Sequence, residues 1–444
     1  RKIKLTEEER EIFSIIKNYA ITIKNPPVPR AAGGWVRDKI LNKESHDIDI
    51  ALDTVSGYDF AVGLNLFRKE SILDIGVVKS NPDKSKHLET AVLKINNYFI
   101  DFVCLRTEEY SNTRIPKVLL GTPQEDALRR DLTINSLFYN IFTQEIEDFT
   151  GNGISDIQNK IIRTPIDPLQ TFYDDPLRIL RAFRFSCRFS FRIHDSIYKA
   201  LEDTNLSEAL KQKVSNERIG VEIKKIITYE KATEVFNDFI KYNLIKSIFK
   251  PEINSFIIKE HNFIDRNILN HEPNIEIKNL YYILIFYTNL TVKRKKEEFV
   301  NTLICKESLK YPNKLVKEVN EIEKGIYVLL NKKISISKVN LIKLVRELGE
   351  QWKDDFYFAI LFKNLNNNSY DDLIALYNEL VVLDDKNIHR KQGVLDGNDV
   401  ISYFNVDKLQ IKDVIEDGIV YKIINPNADK EEVLIYLKAI YQRK

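Results

Sequence analysis

The hydrophobic and polar positions change rhythm partway along the chain, near residue 175. Before that point the apolar residues tend to alternate. Asp47-Ile48-Asp49-Ile50-Ala51-Leu52 puts Ile48 and Ile50 on one side and the two aspartates on the other, the pattern of a half-buried strand. Tyr98-Phe99-Ile100-Asp101-Phe102-Val103 is short and rich in β-formers, which predicts a second strand. Later the period lengthens to about 3.6 residues. Ala232, Val235, Phe236, Phe239 and Ile240 share one helical face, as do Leu315, Val319, Ile322 and Ile326. Eight of the 14 glycines lie at or before Gly153 and nine of the 13 prolines at or before Pro176, so the long remainder is poor in helix breakers. No fixed-period repeat interrupts it. The expected architecture is an α/β amino-terminal domain followed by an all-helical region.

Composition narrows the classes. With 444 residues, 43% of them hydrophobic, the chain has material for about three domains of ~150 residues and too much apolar content for a disordered protein. The longest apolar run, Leu280 to Tyr287, falls far short of the roughly 18 to 20 residues that cross a bilayer. Cys104, Cys187 and Cys305 are odd in number and scattered, which describes neither a disulfide framework nor a zinc site. With no recognisable signal or transit peptide at the start, they predict an intracellular, reducing setting: cytoplasm, nucleus or mitochondrion. Net charge is only +2, and residues 1–150 carry 21 basic against 23 acidic side chains, so any nucleic-acid surface must be a local patch. The run Lys293-Arg294-Lys295-Lys296 reads as a solvated helix end.

Asp47 and Asp49, two apart on a strand, point the same way about 6.5 Å apart. Two neighbouring carboxylates repel, and a divalent cation between them relieves the repulsion. Hard cations such as Mg²⁺ favour a few carboxylates plus substrate phosphates. A lone Asp-x-Asp is more often the polar face of a strand, but about ten residues upstream stands Ala32-Gly33-Gly34-Trp35-Val36-Arg37-Asp38. A glycine pair lets backbone approach a ligand, a helix starting there aims N–H groups at an anion, and Arg37 adds a fork for phosphate oxygens. Together the two features point to metal-assisted phosphoryl or nucleotidyl transfer. Asp101, flanked by apolar residues, is either a third member of the acidic site or a hydrogen-bonded structural acid.

Gly33-Gly34-x-x-Arg37-Asp38 with Asp47-x-Asp49, then Arg129-Arg130-Asp131-x-x-x-Asn135, then Asp174-Asp175-Pro176-Leu177-Arg178, resembles the class II nucleotidyltransferases. More narrowly, the chain resembles the CCA-adding tRNA nucleotidyltransferases of eukaryotic type. Lys86-His87-Leu88-Glu89-Thr90, Gly121 to Leu128, Glu147 to Gly151 and Glu217-Arg218-Ile219-Gly220-Val221-Glu222 agree, so the ordered match runs from about residue 31 to 225. The resemblance implies a head with the DNA polymerase beta-like nucleotidyltransferase fold over 1–150. A neck over 151–228, a helical body over 229–335 and a tRNA-binding tail over 336–444 would follow. It implies untemplated addition of C, C and A to the 3′ end of tRNA from CTP and ATP. Asp47 and Asp49 would bind two Mg²⁺ ions, with Asp101 a further catalytic candidate. Gly33, Gly34 and Arg37 would hold the triphosphate; Asp131 and Asn135 would lie at the sugar, with Arg129 or Arg130 near phosphate. Lys86, His87, Glu89 and Thr90 would belong to a mobile loop that helps switch from C to A. Rival readings are a poly(A) polymerase or a partial CC- or A-adding enzyme of the same class, and a catalytically idle RNA-binding protein.

Asp174 or Asp175 is placed to cap a helix opening at Pro176, with Arg178 one turn on. An Asp175–Arg178 pair would present one acceptor and a fork of donors. Cytosine and adenine offer an amino donor beside a bare ring nitrogen, whereas uracil and guanine offer the reverse. Such a pair would accept C and A and leave groups unpaired with U and G. Along the same helix Arg178, Arg181, Arg184 and Arg188 form a stripe suited to phosphates, with a solvated face as the alternative.

Overall fold

The computed structural model describes residues 3–71, 75–78, 90–109, 117–249, 266–284, 291–293, 297–383 and 387–441. The chain divides into two compact units, 1–250 and 251–444.

The first unit opens with helix α1 (Glu7–Ala20). The Thr6 side chain accepts from the Glu9 amide and the Glu9 carboxylate accepts from the Thr6 amide, a reciprocal cap. Nine strands follow: β1 (Arg30–Ala32), β2 (Asp47–Leu52), β3 (Gly76–Val78), β4 (Thr90–Ile95), β5 (Tyr98–Cys104), β6 (Arg106–Glu109), β7 (Lys117–Leu120), β8 (Phe138–Asn140) and β9 (Glu145–Glu147). Seven form one sheet in the order β3-β4-β5-β2-β1-β8-β9, while β6 and β7 make a separate ribbon. Only β2 and β5 pair in parallel in that sheet; its other pairs are antiparallel. Helices α2 (Gly34–Ile40), α3 (Gly57–Phe67) and α4 (Pro123–Leu128) accompany the strands. Ile48, Ile50, Ile100 and Phe102 are buried on the sheet face opposite Asp47, Asp49 and Asp101, and Phe60 of α3 packs on Phe102. Trp35, Phe13 and Tyr139 form an aromatic knot that fixes α1 and α2 to the sheet. The expected α/β head is present.

Helices α5 (Gly153–Asn159), α6 (Pro168–Asp174), α7 (Leu177–Phe189), α8 (Asp195–Leu201), α9 (Asn205–Lys213), α10 (Asn216–Ile226), α11 (Ala232–Lys241) and the short α12 (Ile245–Ile248) complete this unit. A two-residue parallel bridge, Ile161–Ile162 with Arg192–Ile193, interrupts the helical run. On α11 the expected face is buried at Ala232, Val235, Phe236 and Phe239, with Ile240 at its margin.

The second unit is mostly helical. Helix Asn313–Asn331 buries Val319, Ile322 and Ile326 as its period predicts and packs on helix Trp352–Leu365. A short antiparallel ribbon, Thr291–Lys293 with Glu297–Phe299, departs from the all-helical expectation. Lys293 ends its first strand, and residues 294–296 of the basic run lie outside the described residues. No described helix is long and apolar enough to cross a membrane.

Candidate active site

The site grows from one register. Parallel pairing sets Asp49 of β2 directly beside Asp101 of β5, and Asp47 lies two residues along the same face of β2. Asp47 and Asp49 reach solvent while Ile48 and Ile50 anchor the opposite face. Loss of hydration and the neighbouring Asp101 and Asp47 carboxylates push Asp49 up to about 6, against the pull of Arg130. Carboxylates crowded in this way are a donor set that fits a hard divalent cation. Among the described residues no three His, Cys, Asp or Glu side chains form a ready-made metal cage. A cation here would therefore need phosphate oxygens to complete its shell, as Mg²⁺ commonly does.

The glycine turn lies beside these acids. Gly33 precedes α2 with φ 65°, and a Cβ there would come within 2.7 Å of Arg130 Nη1. Its own N–H is already given to the Leu137 carbonyl at 2.8 Å. Helix geometry leaves the amides of Gly34, Trp35 and Val36 without an intrahelical acceptor, so these face an anion better than Gly33 does. Arg37, expected to offer a fork to phosphate oxygens, already has its guanidinium engaged. It is 4% exposed, donates to Asp38 Oδ1 at 2.8 Å and to Asn135 Oδ1, and lies over the rings of Phe185 and Phe189. It braces the turn from behind.

The Arg129-Arg130-Asp131 segment is a web of shared acids. Asp126, buried on α4, accepts from Arg129 and Arg130, and their charges hold it below the usual carboxylate range despite burial. Arg129 Nη1 also donates to Glu108 of β6 at 2.9 Å. Arg130 Nη1 donates to the Asn135 carbonyl at 3.1 Å, and its guanidinium lies over Phe138. Asp131 accepts from the Leu132 amide, from Asn135 Nδ2 at 3.1 Å and from Arg181 Nε at 2.7 Å. Arg181 and Asn135 hold Asp131 low against its burial. Asn135 thus joins Arg37, Arg130 and Asp131. Asp126 was not expected as a site residue; its position three and four residues before two arginines at the end of a short helix is a signal that could have found it.

At the start of α7 the structure corrects the expectation. Pro176 takes the cap position and Leu177 opens the helix; Asp174 ends α6. Asp175 Oδ1 accepts from the Leu177 amide at 3.2 Å, and its Oδ2 from Arg218 Nη2 of α10 at 2.7 Å. Arg178 is turned toward the head: Nη2 donates to the Arg129 carbonyl at 2.7 Å and lies 3.8 Å from Glu108. The expected coplanar Asp175–Arg178 pair is therefore split between two sets of partners. Each arginine of the stripe faces an acid, and Arg188 remains exposed to solvent. Arg181 meets Asp131, Arg184 meets Glu222 of α10, and Arg188 lies 3.7 Å from Asp38. These partners lie far away in sequence, where no local spacing shows them. Of the expected loop, Thr90 opens β4, while Lys86, His87 and Glu89 lie outside the described residues.

A carboxylate-bearing mixed sheet beside a glycine turn, continued by helices, is the arrangement expected of a nucleotidyltransferase. Residues 30–163 match the poly(A) polymerase head domain, and 190–257 match the probable RNA- and SrmB-binding site of polymerase A. The chain is 32% identical over 480 residues to tRNA nucleotidyltransferase cca1 of Schizosaccharomyces pombe, covering 97% of this chain and 96% of that one. It is 42% identical over 295 residues to the mitochondrial CCA tRNA nucleotidyltransferase of Saccharomyces cerevisiae, 63% of this chain and 54% of the relative. Its fold also matches a CCA-adding enzyme solved with CTP, at TM-score 0.66 and 19% identity, over 99% of this chain and 98% of the other. The chain belongs to the tRNA nucleotidyltransferase family.

Proposed function

We propose that this protein adds cytidine, cytidine and adenosine to the 3′ end of tRNA, from CTP and ATP, without a template. The register that sets Asp49 beside Asp101, with Asp47 on the same face, carries the chemistry. Likeness to cca1 along nearly its whole length supports tRNA as the acceptor. Relatives named as mitochondrial support an intracellular location.

Asp47 and Asp49 would hold divalent metal, most naturally Mg²⁺ and two ions in the full reading, with Asp101 raising their joint negative charge. Bound there, the metal would neutralise the triphosphate and favour the 3′-hydroxyl as nucleophile. The chain's own groups supply position. The turn at Gly33 and Gly34 brings backbone N–H groups to the triphosphate, and Arg37 holds that turn through Asn135. Arg129 and Arg130 add positive charge nearby, while Asp131 and Asn135 would meet the sugar. Asp175, fixed at the start of α7, is the acceptor for the amino group that C and A share. Arg178 becomes the matching donor when it turns from the Arg129 carbonyl. Arg181, tethered to Asp131, keeps that helix aligned with the head. Residues 151–228 would act as the neck, 229–335 as body and 336–444 as tail; tRNA would be held by shape and phosphate contacts.

The test is incorporation of each labelled nucleotide into tRNA lacking its CCA end. CTP and ATP should label it and add three residues. Labelling by UTP or GTP as readily would count against the reading, and a long A tract would favour a poly(A) polymerase. Asp49→Ala should abolish labelling and leave tRNA binding nearly intact. An unmodified protein that binds tRNA and transfers nothing would support the idle RNA-binding alternative.

A further inference from the structure

We infer that Arg218 is a positioning residue for base selection, acting through Asp175. The inference rests on the reading of Asp175 as the base acceptor. Arg218 Nη2 donates to Asp175 Oδ2 at 2.7 Å, while Asp175 Oδ1 accepts from the Leu177 amide at 3.2 Å. The carboxylate is gripped from two sides, by the first amide of α7 and by a side chain of α10. A carboxylate has about four lone-pair sites, so these two bonds fix its plane and leave acceptor capacity for an exocyclic amino group.

The grip on Asp175 is itself held. Ser215 caps α10, its hydroxyl accepting from the Glu-Arg turn at the Arg218 amide. One helical turn beyond Arg218, on the same face, Glu222 pairs with Arg184 of α7, with both side chains nearly buried. The pair Arg184–Glu222 therefore bolts α10 to α7, and Arg218 reaches back from that fixed helix to Asp175. The Arg218–Asp175 pair differs in kind. Each side chain is 24% exposed, so water screens this pair more than it screens Arg184–Glu222. Its consequence is geometric: without Arg218, Asp175 keeps only one tether and can rotate out of the plane in which it distinguishes an amino donor from a carbonyl.

The test compares kcat/KM for CTP, ATP, UTP and GTP on tRNA lacking CCA, in the parent and in Arg218→Ala, Arg218→Lys, Asp175→Ala and the double variant Asp175→Ala/Arg218→Ala. Arg218→Ala should raise the UTP-to-CTP ratio about tenfold, with the thermal midpoint nearly unchanged. Arg218→Lys should recover most of the discrimination. The double variant should be no more relaxed than Asp175→Ala alone, because the effect passes through that carboxylate. If Asp175→Ala relaxes selection and Arg218→Ala does not, the inference fails and the base-reading role stands. If neither changes selection, the base-reading role itself fails and takes the inference with it. A large fall in thermal midpoint with equal losses for all four nucleotides, in both Arg218 variants, would make Arg218 merely structural and overturn the inference.

Discussion

Gly33 carries two constraints at once, a left-handed backbone and a side-chain space already filled by Arg130. A residue other than glycine there would have to accept strain of about 1 to 3 kcal/mol or displace the guanidinium. Gly33→Ala should therefore lower kcat/KM for CTP at least tenfold while costing a few degrees of thermal midpoint. Steady-state kinetics beside a melt would check it, and unaltered kinetics would detach the turn from the site. The glycine pair and the Asp47/Asp49 spacing were readable because both depend on local geometry alone. Asp101 was readable as an odd acid among apolar neighbours, but its pairing with Asp49 needed the strand register. The burial of Arg37 was not readable from local spacing, since it is set by Phe185 and Phe189, almost 150 residues on.

Helix α7 behaves as a fastener. Its apolar side, with Ile179, Leu180, Ala182 and Phe183 fully buried, followed directly from the 3.6-residue period. Its arginine side did not. Charged periodicity says that a face is polar and leaves open whether water, phosphate or protein covers it. Here the carboxylates come from positions 38, 108, 131 and 222. Removing one partner of a buried pair leaves the other charge uncompensated, at a cost of about 3 to 5 kcal/mol. Glu222→Gln should therefore destabilise the protein by roughly that order in urea titration, since Arg184 is 6% exposed. A change below about 0.5 kcal/mol would mean that Arg184 finds another acceptor, and the bolt between α7 and α10 would have to be abandoned.

Across the whole molecule, charge is managed differently in the two units. The first pairs its buried acids with cations, mostly arginines. The second buries two acids, Glu323 and Asp355, that pair with no cation among the described residues. Glu323 accepts from the Asn301 and Thr302 amides and the Thr302 hydroxyl, yet burial lifts it to about 8. Asp355 has both carboxylate oxygens buried with no hydrogen-bond partner among the described residues, and burial lifts it well above the usual range. It fits only because Gly325 opposite has no side chain; a Cβ there would collide with the carboxylate. An acid raised in the folded chain keeps its proton where the unfolded chain has lost it. Stability is then greatest below about pH 4 to 4.5 and declines as pH climbs toward the folded value, by up to ~1.4 kcal/mol per pH unit per group. The unfolding transition of residues 251–444 should accordingly move to lower temperature between pH 5 and 8. Asp355→Asn should flatten part of that slope. Calorimetry across the range would show it, and a midpoint that rises with pH would refute it.

Glu9 lies far from any reacting atom, but its fully buried carboxylate receives Trp35 Nε1 at 3.2 Å and Lys39 Nζ at 2.6 Å, both from α2. The opening helix is thus a splint strapped to the back of the glycine turn. Trimming that helix away would loosen the turn from behind and, under the proposed role of Gly33 and Gly34, weaken nucleotide binding without removing any residue proposed to touch the nucleotide.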